Sequence, residues 1–568
     1  MTARSVIRLL PEHAAVSGSV TFDNRSVLDL GPEELRRFRS RDVAMVFQDP
    51  RAHIDQTWTI GSFLRATLAI NGLKERRPAE RRARELLNSV HIDNADRRMR
   101  QYPYEVSGGM LQRVMIAAAL AADPRLLLAD EPTTALDVTV QAEIVRVLGE
   151  LRAERGLSML FITHDLELAE VACDRMAVMY AGRIVEELPV QGVADTARHP
   201  YTIGLLGARP DIAGRARRLS QLPGRPLFAH ETQQGCSFAS RCAIVMDECR
   251  EASPPLHLVD GHAVACLRAA AAGDLLGTGP SSGTAEVVAR RVDHSVVIGV
   301  RNLSRTFGST AAVNDISFEL RRGDSLAIVG ESGSGKTTVA RILVGLDRAT
   351  SGSVEIEGRE RRGRRIAGLS YREGARKVQI VFQDPYGSLD PRQRIGAAIA
   401  EVARFADDLT VPEARRRAIE LLGLVGLDEG YVDRFPRRLS GGQRQRAAIA
   451  RALAARPEVL VLDEAVAALD VSIQAQVLNL LADLREQLGV TYVFITHDLA
   501  VVRQVADRVL VMRHGNCVET GDVDQILTRP RDDYTIRLVN SSPTTLLRHK
   551  LSGPAVEEAG PPRHGLGA

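Results

Sequence analysis

The chain has 568 residues, more than one compact hydrophobic core usually contains, and this length fits two domains of roughly 250 residues with a joining segment. It has 74 basic and 71 acidic side chains, a formal charge of +3, and this balance gives no indication of a nucleic-acid partner. No stretch approaches the roughly 18 apolar residues that a spanning helix needs, and the first residues lack a signal-peptide pattern, so we expect a cytoplasmic protein.

Four short segments occur twice in the same order, which indicates a duplicated domain. The repeats are residues 46–50 and 381–385, offset by 335, and, offset by 333, residues 107–109 and 440–442, 128–131 and 461–464, and 161–165 and 494–498. Short uninterrupted apolar runs such as 326–329 and 459–462 are typical of buried parallel strands, and helical patterns such as 415–424 separate them. We therefore predict an α/β fold for both copies.

This pattern divides the chain into five parts. The first copy occupies residues 1–195, and an extension that contains four cysteines follows at 196–269. Residues 270–294 are rich in Ala, Gly and Ser and are predicted to be a flexible linker. The second copy occupies residues 295–540, and a Pro- and Gly-rich tail at 541–568 is predicted to be disordered.

The extension contains four of the six cysteines, Cys236, Cys242, Cys249 and Cys266. In a reducing compartment such clustering favours metal ligation over disulfides. Their spacing, C-x5-C-x6-C-x16-C, offers four sulfurs to a zinc ion or to an iron–sulfur cluster. The wide gaps favour the cluster, because paired zinc ligands are usually about two to four residues apart. Four reduced cysteines in a small core remain the alternative.

In the second copy, residues 330–337 follow an apolar strand and precede a helical pattern, which is the context of a phosphate loop. The glycines let backbone N–H groups turn toward phosphates, and the following helix adds its positive N-terminal end. Lys336 is expected to contact the β- and γ-phosphates of a nucleotide, and Thr337 to ligate Mg²⁺. The candidate nucleotide-binding residues here are Gly330, Glu331, Ser332, Gly333, Ser334, Gly335, Lys336, Thr337 and Thr338.

Four further polar residues of the second copy follow strand patterns. Asp463 ends an apolar strand, where a carboxylate can hold the Mg²⁺ shell, and Glu464 is placed to polarise the attacking water. Gln383 is expected to sense both metal and water, and His497 to contact the γ-phosphate. A single Gln or His is more often structural, but the order and spacing of these residues around one phosphate site favour the functional interpretation.

Together with segments 439–443 and 468–470, these residues resemble the motif set of ABC transporter ATPases, and the resemblance covers nearly the whole chain. It implies two tandem ABC-type P-loop NTPase domains, each with a helical subdomain, that pair head to tail and bind ATP and Mg²⁺. In that family each ATP lies between the phosphate loop of one domain and the Ser-Gly-Gly segment of the other. It also implies that Phe307 stacks on adenine, although a core phenylalanine is the alternative.

The resemblance distributes the candidate residues over two composite sites. One combines the phosphate loop, Asp463, Glu464, Gln383 and His497 with four residues of the first copy, and it is expected to hydrolyse ATP; these four are Ser107, Gly108, Gly109 and Met110. The residues of the second, incomplete site are Gln48, Asp130, Glu131, His164, Ser440, Gly441, Gly442 and Gln443.

The first copy starts late in this alignment. Residues 2–4 align with residues 339–341, so Met1 falls on Thr338 and the sequence as given lacks a counterpart of the phosphate loop. Either the first copy cannot hold its own nucleotide, and the second site binds ATP weakly or not at all, or the true start lies upstream or was recently lost. We favour the latter hypothesis, because the first copy keeps its other candidate catalytic residues.

The extension, which includes segments 199–202 and 235–238, resembles the C-terminal extension of the dipeptide, oligopeptide and nickel importer ATPases. The second copy repeats only Tyr534 and Thr535 of it. The resemblance implies a [4Fe-4S] cluster at the four cysteines and an ATPase subunit that energises import of peptides or a related small solute. It places the protein peripherally on the cytoplasmic face of the membrane. The implied partners are two integral-membrane permease subunits, docked near Gln48 and Gln383, and an extracytoplasmic solute-binding protein.

Two other functions remain open. A twin-ABC ATPase that acts on ribosomes also needs no membrane span, but such proteins join their domains by a long charged helical linker, unlike the cysteine-containing and Ala/Gly-rich joint of this chain. A degenerate remnant without turnover is the other possibility, and the late start favours it. The identity of the solute does not follow from this sequence, because selectivity lies in other subunits.

Overall fold

The computed structural model describes residues 1–134, 136–227, 229–231, 234–276, 295–467 and 469–552. Within these residues the chain forms two related α/β units, and the extension lies between them in sequence. The predicted fold class is confirmed by this alternation of strands and helices.

The first copy begins the chain. Its strands are β1 (Thr21–Phe22), β2 (Arg25–Ser26), β3 (Val43–Val46), β4 (Leu126–Asp130), β5 (Ser158–Ile162), β6 (Arg175–Tyr180) and β7 (Arg183–Pro189). Its helices, with those at the start of the extension, are α1 (Thr2–Val6), α2 (Pro32–Arg37), α3 (Ile60–Ile70), α4 (Arg76–Ser89), α5 (Ala95–Arg98), α6 (Gly108–Ala119), α7 (Val138–Arg155), α8 (Leu166–Ala172), α9 (Val193–Thr196) and α10 (Pro200–Ala208). The rest of the extension adds α11 (Glu248–Glu251), β8 (His257–Val259), β9 (His262–Val264) and α12 (Ala269–Leu276).

The second copy follows. Its strands are β10 (Val296–Phe307), β11 (Thr310–Arg321), β12 (Ser325–Val329), β13 (Ser351–Ile356), β14 (Arg359–Arg362), β15 (Arg365–Ile366), β16 (Val378–Val381), β17 (Val459–Asp463), β18 (Thr491–Ile495), β19 (Arg508–Arg513) and β20 (Asn516–Asp522). Its helices are α13 (Lys336–Leu343), α14 (Tyr371–Lys377), α15 (Pro385–Ser388), α16 (Ile395–Asp407), α17 (Val411–Leu424), α18 (Gly441–Leu453), α19 (Val471–Leu488), α20 (Leu499–Val505), α21 (Val523–Thr528), α22 (Asp533–Asn540) and α23 (Pro543–Ser552).

A six-stranded sheet in the order β16-β17-β18-β12-β19-β20 forms the centre of the second copy, and only its last pair is antiparallel. Strands β12, β17 and β18 are buried along their whole length, which explains their uninterrupted apolar sequences. Because the carboxyl ends of parallel strands meet at one edge of a sheet, the segments that follow β12, β16, β17 and β18 lie close together.

The first copy repeats half of this sheet. Strands β3, β4 and β5 form a parallel sheet in that order, which matches β16, β17 and β18. Strands β6 and β7 belong to a separate antiparallel sheet in the order β6-β7-β9-β8, so the extension continues the first copy through its own strands.

Each copy also has the predicted helical subdomain. In the first copy α3, α4 and α6 share one apolar core, and in the second α16, α17 and α18 do the same. The buried residues of α4 show why: Ala79, Ala83, Leu86 and Leu87 recur at intervals of three and four, so they form one face of a helix.

Two segments that the sequence predicted to lack structure contain helices. Helix α12 starts the predicted linker, where residues 269–272 are all alanine, the residue that most favours helix. Helix α23 starts the predicted tail and packs on α7 and α8 of the first copy, where Thr544 is buried. The linker and tail predictions were therefore wrong for these residues; residues 277–294 and 553–568 lie outside the described residues.

The extension contacts the second copy through residues 216–222, which we name the crossing segment. Asn479 of α19 accepts a hydrogen bond from the N–H of Leu219 at 3.0 Å and donates to its carbonyl oxygen at 2.8 Å. Gln504 of α20 pairs with the backbone of Ala216 in the same way, at 3.2 and 2.8 Å. Side-chain amides of the second copy thus bind the crossing segment through its backbone.

Candidate functional site

The predicted phosphate loop connects β12 to α13 and requires glycine at two crowded positions. Gly330 has φ +150°, and a Cβ atom there would lie 2.1 Å from the carbonyl oxygen of Met512. Gly335, the residue before α13, has φ +101°, and its Cβ would lie 2.3 Å from the carbonyl oxygen of Ala312. The backbone therefore turns tightly against neighbouring strands, as a loop that presents its own N–H groups must do.

Lys336 lies inside this turn. Its Nζ donates to the carbonyl oxygens of Gly330 at 2.7 Å and Glu331 at 2.8 Å, and only 6% of the residue is exposed. Burial lowers the pKa of Lys336, and the negative charges of Glu464 and Asp137 oppose this change. A buried cation is thus held at the N-terminus of α13, where phosphate groups would also be stabilised.

Oxygen ligands for a divalent cation lie beside the loop. Thr337 Oγ1 donates to Asp463 Oδ1 at 3.4 Å, which brings together one hydroxyl and one carboxylate. Burial, and then the charge of Glu464, raises the pKa of Asp463 to about 6. In proteins Mg²⁺ is commonly bound by one or two carboxylates together with substrate phosphates, so this small donor set fits Mg²⁺ that arrives with a nucleotide.

Glu464 accepts contacts from the two other predicted catalytic residues. Gln383 Nε2 donates to Glu464 Oε2 at 2.6 Å, and His497 Nδ1 lies 3.3 Å from Oε1. The contact with His497 keeps the pKa of Glu464 below its usual value. Burial alone would lower the pKa of His497, but the same contact raises it. The structure therefore brings together all three residues, at the edge where β16, β17 and β18 end.

The first copy repeats this group. Gln48 Nε2 donates to Glu131 Oε2 at 2.8 Å, and His164 Nδ1 lies 3.5 Å from Glu131 Oε1. Asp130 ends β4 as Asp463 ends β17. Both glutamates also have positive φ, +48° at Glu131 and +47° at Glu464, so the backbone turns in the same way after each strand.

The Ser-Gly-Gly segments begin α6 and α18. Ser107 caps α6 by accepting the N–H of Met110 at 3.3 Å, and Ser440 caps α18 with Gln443 at 3.4 Å. A Cβ at Gly109 would lie 2.2 Å from Val140 Cγ1, and one at Gly442 would lie 2.2 Å from Ile473 Cγ2. The second glycine of each segment is therefore required by close packing against the helix that follows β4 or β17. Gly108 and Gly441 are the first residues of the same helices.

Helix α7 of the first copy reaches the phosphate loop of the second. Thr139 Oγ1 donates to Glu331 Oε1 at 3.1 Å, and the charge of Asp137 acts on Lys336. Sequence analysis missed Thr139, as it missed Tyr534, whose hydroxyl accepts the N–H of Glu331 at 3.0 Å. The predicted approach of residues 107–110 to the same loop stays a prediction.

Phe307 ends β10 and is 49% exposed, so it is not a core residue. The guanidinium of Arg305 lies 4.3 Å from the centre of its ring. One face of the ring is thus packed against a cation, and the exposed ring is suited to stacking, as the resemblance requires.

The four cysteines of the extension line one cavity, which His199 and Phe238 also border. All four are free thiols, and burial raises the pKa of Cys266 to about 11. Within the described ranges, no three or more His, Cys, Asp or Glu side chains are placed to hold one metal ion. The structure therefore confirms the clustering, and the predicted metal binding has no support from a ready ligand group.

Comparison with known proteins gives the family. Residues 5–134 and 313–467 match the family model described as ABC transporter, and residues 185–249 and 518–564 match that described as oligopeptide/dipeptide transporter, C-terminal region. Over the part of the chain that the structure describes, no helix has the length and apolar character to cross a membrane.

Three relatives align with this chain over most of the length of both proteins. The oligopeptide transport ATP-binding protein OppD of Mycobacterium bovis is 43% identical over 565 residues, 95% of this chain and 90% of that protein. The peptidoglycan transport ATP-binding protein YejF of Agrobacterium fabrum is 39% identical over 95% of this chain and 87% of its own length. The glutathione import ATP-binding protein GsiA of Pectobacterium atrosepticum is 36% identical over 96% of this chain and 82% of its own length. The chain is an ATPase of the ABC transporter family, and it belongs to the members of that family that also contain the oligopeptide/dipeptide transporter C-terminal region.

Proposed function

We propose that this ATPase powers the import of peptides or of a related small solute through a membrane transporter. The observation that carries the proposal is the combination, in one chain, of a phosphate loop built around the buried Lys336 with the oligopeptide/dipeptide transporter region. Relatives named for oligopeptide, glutathione and peptidoglycan transport support the same class of solute.

In the proposed site ATP is held by residues 330–338, with adenine stacked on Phe307. Thr337, Asp463 and Gln383 bind the Mg²⁺ that accompanies ATP, which neutralises developing charge on the phosphates. Glu464 polarises the attacking water, and His497 orients Glu464 through the contact at 3.3 Å and faces the γ-phosphate.

The first copy completes this site in our proposal. Residues 107–110 close over the γ-phosphate, because the N-terminus of α6 carries a positive partial charge and free N–H groups. The contact between Thr139 and Glu331 supports this arrangement, since it already joins the first copy to the phosphate loop. Gln48, Asp130, Glu131 and His164, with residues 440–443, form the second composite site.

The proposed assembly places the chain on the cytoplasmic face of the membrane. Two permease subunits dock in the grooves near Gln48 and Gln383, and an extracytoplasmic binding protein delivers the solute. ATP closes the pair of copies, and hydrolysis reopens it.

Reconstitution with the permease subunits in liposomes tests this function. We expect Lys336→Ala to abolish both ATP hydrolysis and peptide uptake, because it removes the buried cation of the phosphate loop. Uptake that continues in this variant would contradict the proposal, and wild-type protein without turnover in the complete transporter would instead support the degenerate remnant. Turnover that depends on ribosomes and not on permeases would support the ribosomal alternative.

We also propose that Cys236, Cys242, Cys249 and Cys266 hold a [4Fe-4S] cluster. A cluster binds each cysteine to a different iron, so its ligands stand farther apart than those of one zinc ion. Their shared cavity and the N–H of Arg268, which lies 3.4 Å from Cys266 Sγ, support this proposal.

Iron analysis and visible absorbance of anaerobically purified protein test the cluster. We expect brown, iron-containing protein and a loss of colour in Cys242→Ser. Cys173→Ser, outside the cavity, is the matched control and should keep the colour. Colourless wild-type protein without iron would contradict the proposal.

A further inference from the structure

Glu331, the second residue of the phosphate loop, is held from two sides by residues outside the loop. Its N–H donates to Tyr534 Oη at 3.0 Å, and its Oε1 accepts from Thr139 Oγ1 at 3.1 Å. Tyr534 lies in α22 of the second copy, whereas Thr139 lies in α7 of the first. Helices α7 and α22 also pack on each other. Glu331 therefore connects the phosphate loop to α22 of the second copy and to α7 of the first copy.

Tyr534 is fixed in this position by its surroundings. Only 3% of the residue is exposed, and the guanidinium of Arg513 lies 5.0 Å from the centre of the ring. Asp532 caps α22 by accepting the N–H groups of Tyr534 and Thr535 at 2.8 and 3.3 Å. Burial raises the pKa of Tyr534 to about 12, so the hydroxyl stays protonated at neutral pH. The hydroxyl oxygen is thus held where the N–H of Glu331 reaches it.

This contact matters because backbone N–H groups of such a loop are the donors for phosphate oxygens. The peptide group that contains the N–H of Glu331 follows Gly330, which has φ +150° and no side chain to restrict rotation. A hydrogen bond from this N–H to a buried hydroxyl fixes the orientation of the peptide group. The next N–H groups of the loop then point in a defined direction before nucleotide arrives.

Tyr201 offers a comparison within the same chain. It stands at the second position of α10, as Tyr534 does in α22, and burial raises its pKa to about 12 as well. Its ring centre lies 4.7 Å from that of Tyr180 and 5.4 Å from that of Phe238. The two tyrosines share their position in the helix, although Tyr201 is only partly buried, and the hydroxyl of Tyr534 contacts the phosphate loop.

We propose that Tyr534 is a positioning residue for ATP binding: its hydroxyl fixes the N–H of Glu331 and thereby orders the phosphate loop. The C-terminal helix α22 is then part of the nucleotide site, through a contact with the loop and not with ATP itself. This proposal rests on the proposed ATP site at residues 330–338.

Tyr534→Phe keeps the ring and removes the acceptor, so it tests the hydroxyl alone. We expect KM for ATP, and Kd for a non-hydrolysable ATP analogue, to rise about three- to tenfold, the effect of one lost hydrogen bond. The value of kcat should change less than twofold, because the hydroxyl does not contact the reacting atoms. Tyr201→Phe is the matched control and should leave KM and Kd unchanged. Thermal unfolding of both variants verifies that the fold is retained.

Lys336→Ala distinguishes failure of this proposal from failure of the ATP site. If wild-type protein binds the analogue and Lys336→Ala does not, the site is at the phosphate loop, and equal affinities of wild type and Tyr534→Phe then overturn the role of Tyr534. A rise of equal size in Tyr201→Phe overturns it too, because the effect would not be specific to the loop contact. If Lys336→Ala binds the analogue as wild type does, the proposed ATP site is wrong, and the proposed role of Tyr534 is then wrong as well.

Discussion

Glu464 and Glu131 make matching contacts in the two copies, but one neighbour differs. Thr134 Oγ1 donates to Glu131 Oε2 at 2.8 Å, the same oxygen that accepts from Gln48. At the position of Thr134 the second copy has Ala467, which offers no side-chain donor. A carboxylate oxygen that already accepts two hydrogen bonds is a poorer acceptor for water. This difference favours Glu464 as the residue that polarises the attacking water.

Glu464→Gln should therefore lower kcat for ATP hydrolysis by on the order of 100-fold, the usual contribution of a general base, and leave ATP affinity within a few-fold of wild type. Glu131→Gln is the matched control, since it removes the same charge from the same type of group, and we expect a much smaller loss. Phosphate release and analogue binding measure the two effects. Equal losses in both variants would contradict the assignment of Glu464.

The sequence was sufficient to predict where site residues lie when adjacent residues determine their position. Lys336 follows a glycine-rich turn, Asp463 ends an apolar strand and Glu464 follows it, so the structure places them together as expected. Their roles in ATP hydrolysis stay predictions. Thr139 and Tyr534 were not recognised, because their contacts with Glu331 join positions 192 and 203 residues apart. The only signal in the sequence was the recurrence of Tyr-Thr at residues 201–202 and 534–535, which indicates a shared position without identifying the partner.

At the scale of elements, the crossing segment binds α19 and α20 through backbone hydrogen bonds as well as through side chains, and Leu219 packs in the core of the second copy. Besides the amides of Asn479 and Gln504, Gln476 donates to the carbonyl oxygen of Leu222 at 2.8 Å. Arg218 adds ion pairs with Asp483 and Glu486 at 2.6 and 2.9 Å. These two ion pairs are partly exposed and contribute little, so among the polar contacts of the segment the buried amides contribute most.

Asn479→Ala tests this contact. Asn479 is 3% exposed, and its loss leaves the N–H and carbonyl groups of Leu219 buried without their partners, at a cost of about 2–4 kcal/mol. Gln476→Ala removes the hydrogen bond to Leu222 and one that Gln476 accepts from Arg446 at 2.8 Å, but the site is half-buried and water can replace these partners, so the cost should be about 1 kcal/mol. Calorimetry should thus show a clearly larger decrease in the unfolding midpoint for Asn479→Ala. Equal decreases would show that the paired contact at Leu219 has no special role.

Elements were predictable to the extent that they repeat or follow a regular pattern. Strands β12 and β17 were predicted because their apolar residues form short uninterrupted runs, and α17 because its sequence has a helical pattern, whereas the helical subdomains were predicted from the family resemblance. Helices α12 and α23 were missed, because Ala-, Gly- and Pro-rich composition was interpreted as disorder. Helix α23 is stabilised by packing on α7 and α8, a contact between copies that local composition does not reveal.

At the scale of the whole molecule, the copies meet around a buried acidic group. Glu167 of α8 accepts from Thr544 of α23 at 2.8 Å and lies 3.3 Å from Arg209. Burial raises the pKa of Glu167 to about 7, whereas the charge of Arg209 opposes the rise. Asp165 is partly buried beside Asp498 of the other copy, and the pKa of Asp165 is raised as well, mainly because the carboxylate loses contact with water. Glu170 pairs with the same Arg209 at 3.0 Å.

This group makes stability depend on pH. Because the pKa of Glu167 is about 7 in the folded protein and near 4.5 in the unfolded chain, the folded protein binds more protons between these values. The free energy of unfolding should therefore fall as pH rises from about 5 to 7 and level off above that, by at most about 3 kcal/mol for Glu167. Asp165 adds to the slope with the same sign.

Thermal unfolding midpoints between pH 5 and 8 measure this dependence. Glu167→Gln has no titrating group at this position, so its midpoint should fall less steeply than that of wild type. The remaining slope comes from Asp165 and from other groups with a raised pKa, among them Asp463. Thr544→Val removes a hydrogen bond that favours the charged form of Glu167, so the pKa should rise further and the decrease should extend to higher pH. If Glu167→Gln keeps the full slope, the pH dependence does not come from this contact between the copies.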